Sequence, residues 1–200
     1  MSEVNRKPSK EEMELARIER EMEIEFAFTQ VSKTSSKLMK VINVALRIIS
    51  FGQMTAFMTS YVTTIGTTVY VPVNWWTRPP LARAALLRHE RVHMRQSERM
   101  GWFFYGLHYL LFILPVGLAF GRKILEQEAY TESMWAYADY YGVAHLADTQ
   151  VREKMIGHFT GSGYLWMWPF RSSAEHWYDE TFGDIQQFHM TRETLSEQEG

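Results

Sequence analysis

Residues 79–101 read PPLARAALLRHERVHMRQSERMG. The two prolines stand where a helix begins, and no helix breaker follows until Gly101, so a helix of about five turns is expected. Within it His89, Glu90, Arg91, Val92 and His93 spell H-E-x-x-H. At about 100° per residue the two histidines stand one above the other on one face, where both imidazoles can reach a single ion. Glu90 is offset by one residue, so it cannot join that row. It can flank the open coordination position and take a proton from a water there.

The rest of the chain limits what such a site can use. Its 200 residues contain no cysteine, which excludes disulfides, thiolate ligands and cysteine nucleophiles. A metal here must be held by His, Asp or Glu. The formal net charge of -2, without a basic block, argues against a nucleic-acid partner. The first residues are polar and lack the apolar core of a secretory signal, so a cytoplasmic location is expected, with membrane or virion association as the alternative.

Outward from the motif helix the expected class is mainly α with a small β hairpin or edge strand. The run YVTTIGTTVYVPV, Tyr61 to Val73, is β-branched, broken at Gly66 and ended by Pro72, and supplies that element. Ser9 to Gln30 follows a serine cap and reads as a surface or partner-binding helix, with Met13, Ala16, Ile18 and Met22 as its apolar stripe. Ser35 to Phe51 reads as a core helix, the alternative being a helix on a membrane surface. The division expected is a charged N-terminal extension over residues 1–30, one compact domain over 31–190 and a polar tail over 191–200.

A mononuclear site needs a third protein ligand. Gln96 and Arg99 occupy the positions where a metzincin would carry Gly and His, so that pattern is absent. Downstream, ILEQEAYTESMWAYADYY is a helical run bounded by Gly121 and Gly142, and it offers Glu126 and Glu128. These lie about 200° apart around a helix, so only one can face the metal. Asp139 in ADYYG is a further alternative.

H-E-x-x-H followed by E-x-E-A on a later helix resembles the gluzincins, especially the HtpX and CAAX-prenyl-protease group. TTVYVP before the helix, Gln96 after the motif and E-x-E-A-Y also resemble small uncharacterised metallopeptidases of bacteria and phages. The resemblance covers about Thr63 to Ala136. It implies a zincin-like core, a Zn²⁺ cofactor and Glu126 as third ligand, with Glu128 in reserve. Tyr130 stands where the group has an aspartate. In such peptidases the strand before the active-site helix often pairs with an extended substrate, a role open to Thr67 to Val71 if this is not simply a structural strand.

Trp102 to Phe120, WFFYGLHYLLFILPVGLAF, carries no formal charge and is long enough to cross a membrane. A straight crossing would separate its ends by about 30 Å, whereas His93 and Glu126 would both need to lie within about 2 Å of one ion. A break at Pro115 and Gly117 is therefore expected, turning the segment into a buried or membrane-dipping hairpin. Tyr130, His158, Tyr164, His176 and Tyr178 are candidate donors to a tetrahedral oxyanion. YLWMWPF, Tyr164 to Phe170, lines either a substrate cleft or a core, and His108 and His145 read as structural.

The expected activity is hydrolysis of a protein or peptide substrate, with Glu90 as general base. The alternative is a noncatalytic virion or secretion-system component with a zinc-stabilised fold, binding its protein partner through the N-terminal helix.

Overall fold

In the computed structural model of the chain, residues 6–101, 104–105, 119–161 and 167–198 are described. The expected hairpin through Pro115 and Gly117, and with it Tyr164 and His108, lies outside them. The chain divides into two compact units, Met1–Arg95 and Gln96–Gly200, the division falling within one helix.

The first unit opens with α1, Lys10–Phe26, started by a capping box in which Ser9 and Glu12 satisfy each other's backbone N–H. Its buried seam is Leu15, Ile18, Met22 and Phe26. Met13 and Ala16, expected in that stripe, are exposed, so the stripe is rotated from the expected one. The helix also stops earlier than Gln30. Ala27 takes a left-handed conformation (φ 49°), and Thr29–Ser32 form a strand, β1, whose first two residues sequence reading assigned to the helix.

The expected hairpin forms from β2, Thr63–Ile65, and β3, Thr68–Val71. Ile65 pairs with Thr68, leaving a two-residue turn whose first position, Gly66, has φ +60°. That sign suits the II′ turn and favours glycine there. β1 pairs in parallel with β3 on its other side, so the order is β1-β3-β2. Thr67 to Val71, offered above as a substrate-pairing edge, is thus the turn end and the central strand, with both sides of β3 engaged. Val69 and Val71 point into the core while Thr68 and Tyr70 alternate with them.

Between β1 and β2 runs α2, Lys37–Ile49, capped by Ser36. It is not the core helix expected: Met39 is fully buried, but Leu38, Val41, Val44 and Ile48 are exposed.

The motif helix is α3, Pro80–Met100. On its side opposite the histidines, α1 grips it through charge-assisted bonds. Arg91 donates to Glu21 and Glu25 at 2.6 Å each, and Arg95 Nε donates to Glu25 at 2.6 Å. Because Arg91 is about 200° around the helix from His89, these bonds fix the rotation that turns the histidines inward.

The second unit holds α4, Phe120–Tyr141, α5, Thr149–Thr160, and α6, Arg171–Gln198. Tyr130, Met134 and Ala138 of α4 pack with Ile156 and Phe159 of α5 and with Ala174, Tyr178 and Ile185 of α6. The spacing of four on α4 is the helical repeat that makes one apolar seam. Of residues 191–200, expected as a loose tail, those to Gln198 continue α6 as helix, with residues 191–196 exposed. Among the described residues no helix is long and apolar enough to cross a membrane.

Candidate metal centre

In the first unit α3 brings His89 and His93 together, with Nε2 atoms 3.1 Å apart and ring centroids 4.8 Å apart. His89 and His93 are each 6% exposed and Glu90 is 5% exposed. Two ring nitrogens this close, aimed at each other, are either a donor and acceptor of neutral imidazoles or two lone pairs converging on one cation.

Glu90 is held from the sheet. Thr64 Oγ1, in β2, donates to Glu90 Oε2 at 2.6 Å. A hydroxyl donating to one carboxylate oxygen fixes the rotamer of that side chain. Just past β1, Lys33 is fully buried. Its Nζ donates to the Phe57 carbonyl at 2.9 Å and lies 3.6 Å from the centre of the Phe57 ring. Burial pushes the Lys33 pKa down to about 7, an effect that the negative charge of Glu90 partly offsets. Thr64 and Lys33 escaped the sequence reading. A β element before the motif helix was expected, but the register that aims Thr64 at Glu90 is a long-range pairing with no local signal.

In the second unit the two candidate glutamates of α4 have different surroundings. Glu126 is 4% exposed, and its Oε1 is 4.0 Å from Arg122 Nε. Glu128 faces the last turns of α3: Gln96 Nε2 donates to Glu128 Oε2 and Arg99 donates to the same oxygen, both at 3.0 Å. Gln96, fully buried, also donates to the Leu125 carbonyl at 2.9 Å. The Gln96 that stands in place of a metzincin glycine thus ties α3 to the residue preceding Glu126.

Tyr130, one turn beyond Glu126, stacks on His158 with ring centroids 5.0 Å apart and planes 16° apart. Burial, aided by the charge of Lys154, pushes the His158 pKa down to about 4, while Glu126 opposes the shift. His158 is therefore a neutral donor at pH 7. The other candidates lie elsewhere. His176 is exposed and 3.2 Å from Glu180, and the Tyr178 hydroxyl is committed to the Leu146 carbonyl at 2.8 Å. Asp139 lies thirteen residues along α4 from Glu126, about 20 Å by helical rise, so the two cannot serve one ion together. His145 packs against the rings of Tyr137 and Tyr141. Of YLWMWPF, Met167 is in the core and Phe170 is exposed.

A pocket of about 280 Å³ between Val143–Ala147 and α6, lined in part by Phe182, His189 and Glu193, contains none of the candidate catalytic residues. Comparison with family models, curated proteins and solved structures finds no match to this chain.

Proposed function

We propose that this chain is a zinc-dependent peptidase in which His89, His93 and Glu126 hold the ion and Glu90 is the general base. The observation that carries this reading is the pair of buried histidines on α3, whose Nε2 atoms lie 3.1 Å apart beside the buried Glu90, with Glu126 buried on α4. Two imidazoles and one carboxylate, all nitrogen and oxygen donors, suit Zn²⁺ in a site that keeps a fourth position for water or substrate. Glu128, already engaged by Gln96 and Arg99, is the less suitable donor.

A divalent ion held there supplies Lewis-acid polarisation of a substrate carbonyl and lowers the pKa of an attacking water. Glu90, oriented by Thr64, accepts the proton of that water as its oxygen bonds to the carbonyl carbon. It returns the proton to the amide nitrogen as the C–N bond breaks. Tyr130 and neutral His158 are the donors best suited to the developing oxyanion, since a phenol O–H and a neutral imidazole N–H can each donate one hydrogen bond. The strand for substrate pairing is β2, whose Thr64 already touches Glu90 and which, among the described residues, pairs with β3 on one side only.

Metal content per chain and hydrolysis of a peptide library, measured for wild type and Glu90→Gln, test the reading. Bound zinc in both proteins, with hydrolysis only in the wild type, is expected. Zinc in both with hydrolysis in neither would instead favour a noncatalytic, zinc-stabilised assembly protein. Metal-free protein purified without chelators, or hydrolysis that survives Glu90→Gln, refutes the proposal.

A further inference from the structure

We propose that the outer face of α2 docks on an anionic lipid surface. A helix folded only against water would turn its aliphatic residues inward and its polar ones outward. α2 buries Met39 but leaves a second aliphatic row in the open. Leu38, Val41, Val44 and Ile48 are 48%, 65%, 57% and 70% exposed, and their spacing of three, three and four places them on one face. Phe51, just past the helix end, is 96% exposed. The inner face meanwhile carries Asn43, whose Oδ1 is buried without a hydrogen-bond partner. A contiguous exposed apolar face of this kind marks an interaction surface.

Charge selects the occupant. α2 carries Lys37, Lys40 and Arg47 and no acidic residue, and all three are exposed. Lys40 and Arg47 lie seven residues apart on one rim of the apolar face, and Lys37 stands at the helix start. No Asp or Glu occurs anywhere between Glu25 and Glu90, in a chain whose net charge is -2. An apolar face with a basic rim is the pattern of a helix lying in the plane of a membrane interface, its aliphatic side chains among acyl chains and its cations at anionic headgroups. A symmetric contact with a second copy would bring these basic rims together, which repels. The helix is about 20 Å long, sufficient to lie on a bilayer and too short to cross it.

The test is co-sedimentation of the full-length protein with phosphatidylcholine vesicles, with and without roughly 30% phosphatidylglycerol. Wild type should bind the anionic vesicles and not the neutral ones, and the binding should weaken as salt rises from about 0.1 M to 1 M. Val41→Glu with Ile48→Glu should lower the affinity at least about tenfold, and so should Lys40→Glu with Arg47→Glu. All four positions are exposed, and unchanged circular dichroism would show that the fold persists. Absence of wild-type binding overturns the proposal, and binding unchanged in both double variants assigns it to another surface. A dimer in sedimentation velocity that Ile48→Glu dissolves, without vesicle binding, would show that a second copy covers the face.

Discussion

Lys33 should make the stability of this protein rise with pH, in a window set by its burial. In the unfolded chain the ammonium keeps its proton until about pH 10.5, whereas in the folded protein it releases it near pH 7. Between those values the unfolded state binds the extra proton, so the free energy of unfolding increases with pH by up to about 1.4 kcal/mol per unit. Below about pH 7 the lysine is charged in both states, and the full penalty of burying the cation is present. From pH 7 to 10 the gain is about 4 kcal/mol, a large part of the stability of a typical domain. Lys33→Met keeps a long apolar side chain and removes the titration. Urea unfolding of both proteins at several pH values should show wild type gaining about 4 kcal/mol relative to Lys33→Met across that window. Parallel profiles would refute the reasoning. Because the charge of Glu90 opposes the shift, Glu90→Gln should move the start of the rise below pH 7.

Thr64→Val removes the hydroxyl that holds Glu90. A bond to a charged group contributes about 1.5–3 kcal/mol, so kcat on a peptide substrate should fall roughly ten- to hundredfold with zinc affinity unchanged. Zinc titration of Glu126→Gln and Glu128→Gln should separate the two glutamates. Loss of Glu126 should exceed the roughly 10- to 100-fold effect typical of groups that merely support a ligand, and loss of Glu128 should stay near or below it. Phe159→Ala, at a fully buried site between α4 and α6, should destabilise the protein by about 3–5 kcal/mol in the same urea assay. Equal stability would mean that the second unit does not depend on that core.

Much of the candidate site was legible because its information is local. His89, Glu90 and His93 lie within five residues of one helix, and a period of 3.6 residues alone places them relative to each other. The helix start at Pro80, the capping box at Ser9 and the turn at Gly66 follow from equally local chemistry. The reading failed where a helix had to be rotated or a strand paired. The α1 seam is Leu15, Ile18, Met22 and Phe26, because helical periodicity permits several stripes and packing selects one. β1 went unseen because a short polar TQVS segment becomes a strand only when β3 offers its edge. The polar residues after 190 read as tail, yet α6 continues to Gln198.

By itself the sequence determined a motif helix with two histidines on one face and a glutamate beside them, a hairpin before it, and two glutamates on a later helix. Tertiary structure decided that Glu126 is buried while Glu128 is engaged by Gln96 and Arg99. It also decided that Thr64 bonds Glu90, that Lys33 is buried within reach of the charge of Glu90, and that α2 leaves an aliphatic row exposed. The physical reason is one of range. Spacing along a helix fixes the angle between side chains, but only contacts between residues distant in sequence fix where that helix points.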